Sequence, residues 1–277
     1  MNKLPLITRE QIVKMLVEGC SLRSITRLTG CSINTVTKLL VDVGRACQVF
    51  HYETVKNLNS KKIQCDEIWS FVYAKKKNVP DNKIREAGDI WTWTAIDADS
   101  KLIVSWLTGN RDADTAYYFM QDVAIRLKNK VQLTTDGLRF YLAAVADTFG
   151  GDIDFAQLVK IYGENTKEEN RKYSPAEWTS SKKTPVIGNP NPKDISTSYI
   201  ERQNLTMRMS MRRFTRLTNA FSKKIENHGY AVALYFVYYN FAKIHQTLRV
   251  TPAMEARLTT EIMSIEEILN LVEKYKC

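Results

Sequence analysis

Apolar residues recur at helical spacing through the first fifty positions. Ile12 and Leu16, then Ile25 and Leu28, then Val36, Leu39 and Leu40 form three stripes separated by Gly19 and Gly30. Thr8, Ser21 and Ser32 stand where side chains cap helix starts. The pattern predicts one helix from Thr8 to Glu18, a second over 22–29, and a third over 33–43 closed by Gly44. The period then changes. Residues 63–74, IQCDEIWSFVYA, have the Ile, Trp, Phe, Val and Tyr of a strand. Segments 90–97 and 102–107 flank the turn DADSK and predict a hairpin. A helix over 112–129, with Ala116, Phe119, Val123 and Leu127 inward, leads to a short strand over 131–135 that ends at Asp136-Gly137. A helix over 141–149 and a strand over 155–161 follow.

The remaining segments divide sharply by polarity. Residues 75–86 form a charged loop. Residues 164–195 are polar and hold four of the seven prolines, which predicts a long loop or inserted segment. From Ser196 to about Phe214 there is no Gly or Pro, so a helix capped by Ser196 or Ser198 is expected. The tyrosine-rich run over 230–241 reads as a core helix, and 264–275 as an amphipathic one with Ile265, Ile268, Leu269 and Val272 inward.

The second and third helices are joined by the tight turn TGCS, in the manner of a helix-turn-helix. Such a unit would put Ser32, Asn34, Thr35 and Lys38, at the start of the third helix, toward the major groove, with Arg9, Arg23 and Arg27 near phosphates. The same pattern also suits a three-helix packing module that touches no DNA. Residues 1–50 are taken as this all-α unit and 51–62 as a linker. Residues 63–256 are the α/β domain with its insertion at 164–195, and 257–277 a closing helix.

Charge changes the picture. The 277 residues carry a formal charge of +10, which points to a polyanionic partner, nucleic acid before membrane surface. The concentration of charge is local. Residues 196–224 hold seven Lys or Arg and one acid, Glu201. The five cysteines are scattered with no CxxC pair, which argues against a Cys-rich zinc site and a disulfide framework and fits a reducing cytoplasm. The start MNKLPLITRE has no apolar signal core, and no apolar run has the length to span a bilayer.

Three acids stand out. Asp66 interrupts a strand, where a carboxylate is costly unless paired or metal-bound. Asp136 ends a strand ahead of a glycine, and Glu201 lies alone on a cationic helix with Asn204 and Arg208 along one face. Taken singly, Asp66 reads equally as a salt-bridged strand acid and Asp136 as an ordinary turn aspartate. Asp97 and Asp99 are explained by the DADSK turn. The element order, three antiparallel strands, a helix, a strand ending in Asp, then the Glu201 helix, resembles a ribonuclease H-like fold. That fold is a mixed sheet flanked by helices, and it would bring the three acids to one sheet edge.

The motifs CDEIWSFV, TTDGLRFY, YIERQNLTMRMSMRRFTRLTNAFSKK and YYNFAKIHQTLRVTPAMEA resemble the DDE transposases of bacterial insertion sequences, of the insertion-sequence-one type, over roughly residues 7–256. Members usually begin with a Cys-paired zinc ribbon, which this chain lacks. The resemblance implies metal-dependent DNA cleavage and strand transfer at element ends. Asp66, Asp136 and Glu201 would hold two Mg²⁺, with Mn²⁺ able to substitute. Arg208 would face DNA. The residues themselves add Arg202, Asn204, Arg212 and Arg213 of the same basic stretch and His245 and Arg249 of HQTLR as DNA-facing candidates; His245 could orient a scissile phosphate or help bind metal, and reads at least as well as a structural contact. The implied partners are double-stranded DNA, as terminal inverted repeats and target, and further copies of the chain, at least a dimer. The implied location is the bacterial nucleoid. Two other readings share the fold: a catalytically silent DNA-binding regulator, and a ribonuclease H-like nuclease.

Overall fold

The structure is a computed structural model that describes residues 4–84, 86–162, 178–215 and 218–277. Its centre is a six-stranded mixed sheet in the order β3-β2-β1-β4-β5-β6. The strands are β1 (Lys62–Val72), β2 (Gly88–Asp97), β3 (Ile103–Gly109), β4 (Gln132–Thr135), β5 (Asp154–Tyr162) and β6 (Trp178–Ile187). β1, β2 and β3 form an antiparallel meander; β1, β4 and β5 run parallel; β6 returns antiparallel. The mixed sheet flanked by helices agrees with the expected class.

Alternation along β1 decides what covers each face. Glu67, Trp69 and Phe71 share one face with their β2 partners Trp93, Trp91 and Asp89. On that face Trp93 packs its ring against Phe119 of α4 (Ala113–Arg126) and Tyr141 of α5 (Phe140–Phe149). Gln64, Asp66, Ile68 and Ser70 share the other face. There Gln64 accepts from the Tyr199 and Ile200 N–H groups at the start of α6 (Ser198–Ser210), at 2.9 and 3.2 Å. Ser70 pairs with His228 of α7 (Ile225–Val237) at 3.2 Å. The outer strand β3 is tied down by Asn240, whose amide donates to the Ile103 carbonyl and accepts from its N–H, both at 2.9 Å. Asn240 lies in the π-helical turn Tyr238–Ala242 that extends the buried, tyrosine-rich α7.

The N-terminal helices are α1 (Leu6–Val17), α2 (Leu22–Thr29) and α3 (Ile33–Thr54). Ser21 and Ser32 cap α2 and α3 as expected. Thr8 does not cap α1, which begins at Leu6 behind Pro5. α3 does not stop at Gly44. That glycine is buried in mid-helix, where a Cβ would collide with the Tyr230 carbonyl and side chain, so it marks the crossing of α3 and α7. Residues 51–62 are correspondingly no free linker. His51 is buried and bonds the Ile103 carbonyl at 3.2 Å, and Leu58 is clamped to the end of α4 by Leu58 N–H to Arg126 O at 2.8 Å. Val13, Val17, Leu40 and Val43 belong to the same apolar core as the sheet, while Ile12, Ile25 and Val36 form a small cluster between the three helices. α8 (Pro252–Glu255) and α9 (Ile265–Lys274) close the chain. α9 packs on α1 and α3, and Tyr275 donates to Glu53 at 2.8 Å.

The segment 164–195 also differs from expectation. Its second half contains β6, held by pairing with β5 even though TSSKKTP has no apolar alternation. The first half, to 177, lies outside the described residues. Helix α6 begins after Thr197, so neither Ser196 nor Ser198 caps it, and it ends at Ser210 before a 3-10 turn at Arg212–Phe214. No described helix is long and apolar enough to cross a membrane.

Gly44→Ala separates helix propensity from packing. In an exposed helix the change would add about 1 kcal/mol. Here it is expected to destabilise by roughly 1–3 kcal/mol in urea unfolding, because the α3–α7 crossing must open.

Candidate active site

Parallel pairing of β1 with β4 ends at Cys65↔Thr135. The next residue on each strand is Asp66 and Asp136, so the register alone sets these two carboxyls side by side where the ladder opens. One oxygen each from Asp66, Glu67 and Asp136 lies within 4.8 Å of the others. Glu67 belongs to the opposite face of β1, yet its carboxylate reaches the same gap.

Each acid is held by neighbours. Asp136 Oδ1 accepts from the Leu138 N–H at 3.0 Å, and Gln157 donates to the Asp136 carbonyl at 3.0 Å and to that of Leu138 at 3.1 Å, so the turn is fixed from β5. Asp66 Oδ1 accepts from the Glu67 N–H at 2.9 Å, and Oδ2 from Asn204 Nδ2 at 2.8 Å. Asn204 is buried, and its Oδ1 has no partner among the described residues. The Glu67 side chain is only 1 % exposed; Arg111 grips its Oε1 from Nε at 2.7 Å and Nη2 at 2.6 Å, and Tyr141 donates to Oε2 at 3.3 Å. Arg111 Nη2 also lies 3.9 Å from Asp136 Oδ2. On α6, Glu201 pairs with Lys160 of β5 at 2.5 Å and accepts from the Thr197 hydroxyl at 2.5 Å.

Crowding sets the electrostatics. Burial above all, then the charges of Glu67 and Asp136 and more weakly that of Glu201, pushes the Asp66 carboxyl up to about 7. Burial and then Asp136 push Glu67 up to about 7 against the opposing pull of Arg111. Burial raises Asp136 too; Glu201 adds to the rise, while the Leu138 N–H and Arg111 oppose it. Glu201 therefore stands close enough for its charge to bear on both aspartates, although it is outside the tight three-oxygen group.

The other sequence candidates scatter. Ser32 and Thr35 cap α3 through the Thr35 N–H to Ser32 Oγ bond at 3.2 Å, Asn34 is exposed, and Lys38 pairs with Asp42 at 2.5 Å. Arg202 and Arg212 are exposed and Arg208 half-buried. Asn204, expected to face DNA, is instead buried, and Arg213 is half-buried. Arg213 is spent on Ser222 Oγ at 2.7 Å and the Asn227 carbonyl at 3.3 Å, and burial lowers it to about 10. His245 sits against the Tyr239 ring, and burial, then Lys101 and Lys243, lower its pKa. None of these neighbours is one of the acids. Arg249 is exposed, in a left-handed turn at φ 65° bonded back to His245.

Glu67, Arg111 and Lys160 are not readable from the sequence as site residues. Period-two alternation puts Glu67 behind the sheet, and only the free edge of β1 beyond Cys65 lets it reach Asp136. The pairing of Arg111 and Lys160 with acids depends on which strands are neighbours.

No family model and no curated protein matches the chain. Among solved structures it is similar to the piggyBac transposase synaptic complex with hairpin DNA, solved by cryo-EM. The identity is 10%, over 97% of this chain and 70% of that chain, with a TM-score of 0.44. A likeness that loose has no bearing on the chemistry of this chain.

The raised carboxyls make stability depend on pH with a definite sign. The ordinary values of Asp and Glu are 3.8 and 4.5, against about 7 for Asp66 and Glu67 in the folded chain. Between those values the folded chain retains protons that the unfolded chain has released. Stability is therefore present in acid and is lost as pH rises through that window. Asp66→Asn removes one such group, and it is expected to be about 1–2 kcal/mol more stable than the parent at pH 8, with the gain shrinking toward pH 4. Denaturant titrations at the two pH values check this; an equal gain at both would place its origin elsewhere.

Proposed function

We propose that the chain is a DNA strand-transfer enzyme of the DDE transposase kind, and that Asp66, Asp136 and Glu201 are its acids. The insertion-sequence-one type is part of this proposal. The observation that carries it is the end of the β1–β4 ladder. Two aspartates seventy residues apart in sequence are seated side by side there, with a third carboxylate within 4.8 Å and the charge of Glu201 bearing on both.

The residues present suit divalent cations. The donors are all carboxylate oxygens, the ligand type of Mg²⁺ and Mn²⁺. Their mutual repulsion is what a bound cation relieves. The Oδ1 of buried Asn204, beside Asp66 and without a partner among the described residues, is a further polar atom left for a ligand or its water. Asp66 and Asp136 would hold both ions, with Glu201 completing the set from α6. When bound, such ions supply charge stabilisation to attacking and leaving oxygens of a phosphodiester and a more acidic nucleophile.

The chain's own contribution is placement. Asn204 fixes the Asp66 carboxylate, Gln157 and the Leu138 N–H fix the Asp136 turn, and Thr197 orients Glu201. Lys160 and Arg111 neutralise Glu201 and Glu67, which lets four acids share the corner. The basic stretch over 196–224 supplies phosphate-binding charge on the same element as Glu201. The reaction proposed is hydrolysis that frees a 3′-OH at the element end, followed by attack of that 3′-OH on target DNA. Both are in-line displacements, so no covalent enzyme intermediate is needed. The partners proposed are duplex DNA and at least one further copy of the chain.

The Lys160–Glu201 pair also suits the second reading, a silent DNA-binding regulator in which a lysine permanently fills the cation's place. Strand transfer on an end-containing duplex decides. With Mg²⁺ the parent is expected to cleave and join; Asp66→Asn, Asp136→Asn and Glu201→Gln should each fall by more than about 100-fold, and Asn204→Ala by about 10–100-fold. DNA binding with no metal-dependent cleavage in the parent would establish the regulator instead, and full activity in any acid variant would remove that residue from the set.

A further inference from the structure

The acid corner opens onto a second feature of the β1–β2 ribbon. On the face that carries Glu67, the rings of Trp69, Phe71 and Trp91 continue the strand beyond Trp93. Trp93 is sealed by α4 and α5. Past it, the ring neighbours change. Trp91 lies under the Arg111 guanidinium, 4.8 Å from the ring centroid. Trp69 and Phe71 lie 5.8 Å apart beneath Lys75 Nζ, at 5.6 and 5.9 Å, and Phe71 meets Phe221 at 5.1 Å. Trp69 and Trp91 are half-buried, so part of each indole remains open to solvent.

Cations surround this ledge. At its far end the loop after β1 and the loop before α7 are joined by the Tyr73 N–H to Ser222 O bond at 2.8 Å. That junction carries exposed Lys76, Lys77, Lys223 and Lys224, and half-buried Arg213 donates to Ser222 Oγ and the Asn227 carbonyl. The acids beside these cations already have partners. Glu67 is occupied by Arg111 and Tyr141; Asp89, opposite Phe71, accepts the Lys76 N–H at 3.0 Å; Glu86 lies 4.0 Å from Lys83. From Glu67 to Phe71 the strand runs about 13 Å.

We propose that Trp69 and Trp91, with Arg111 and Lys75, form a stacking ledge for an unpaired DNA strand beside the acid corner. The inference rests on the proposed function for the identity of the polymer. Half-open indoles offer a π-face that only unstacked bases can use, and a planar guanidinium stacks on bases as indole does. A duplex presents phosphates and would leave the rings idle. An apolar protein partner is disfavoured by cations over the rings themselves.

The test uses the full chain in EDTA with a short single strand containing the fluorescent base 2-aminopurine. Binding is expected to quench the base, and to exceed binding of the matching blunt duplex. Trp69→Ala should weaken it about tenfold and Trp69→Phe less than about threefold. Lys75→Ala should lower the salt slope by roughly 0.7, one phosphate contact. A parallel photocrosslink from 5-iodouracil in the same strand, mapped on the unmodified protein, should fall on Trp69 or Trp91, which covers a variant that fails to fold. Equal affinity for strand and duplex, unchanged binding in Trp69→Ala and Trp91→Ala, or crosslinks confined elsewhere would each overturn the ledge. Strand binding without Mg²⁺-dependent cleavage would sink the enzyme and leave the ledge, while cleavage with no ledge binding would do the reverse.

Discussion

Four carboxylates share one half-buried corner of the sheet, and their repulsion is the constraint around which the rest is arranged. Taking anions out of water side by side raises the energy of the folded chain unless positive charge is brought to them. Two of the four have a resident cation, Arg111 on Glu67 and Lys160 on Glu201. The two aspartates at the end of the ladder do not have one to themselves; Arg111 approaches Asp136 only to 3.9 Å. A chain selected for stability alone would have neutral residues at 66 and 136. Keeping acids there, with Asn204 and Gln157 buried to orient them, gives up stability at the corner to which the proposed function assigns the chemistry.

The topology explains why that corner lies where it does. β4 is only four residues long, whereas β1 has eleven, so β1 outruns its parallel neighbour and has no strand beside it on that edge from Asp66 until the bridge of Val72 to Ser222. The free edge admits Glu67 from the back face and Asn204 from α6 on the front. It also releases the far half of the β1–β2 ribbon from the helices that bury Trp93, which leaves Trp69 and Trp91 to be covered by side-chain cations. The acid corner and the aromatic ledge thus follow from one mismatch in strand length.

Much of this is legible in the sequence, and the parts that are not have physical reasons. The strands and flanking helices follow from period changes, and the positions of Asp66, Asp136 and Glu201 from element order joined to the motif resemblance. Gly44 misleads because a glycine that ends a helix and a glycine that lets two helices touch look alike until the partner, Tyr230, is known. β6 escapes pattern reading because an edge strand paired on one side only needs no apolar alternation. Asn204 and Arg213 look like surface residues because polar side chains usually stay there. Both are held by partners 138 and 9 residues away, Asp66 and Ser222, which no local pattern reveals.

The continuation of α3 through Gly44 bears on how the proposed DNA contacts relate to the acids. A helix-turn-helix on a flexible linker could read its site independently of the sheet. Here one helix of 22 residues begins at Ser32, the proposed groove-facing end, and ends where His51 bonds the Ile103 carbonyl of β3. At 1.5 Å per residue it spans about 33 Å, close to the roughly 34 Å of one turn of B-DNA. α3 is further locked by the crossing at Tyr230 and by α9. A duplex held at Ser32, Asn34 and Lys38 would therefore meet the sheet at a distance fixed by a rigid helix. Spacing between the bound sequence and the cleaved bond would be built into the fold, with no hinge left to adjust it.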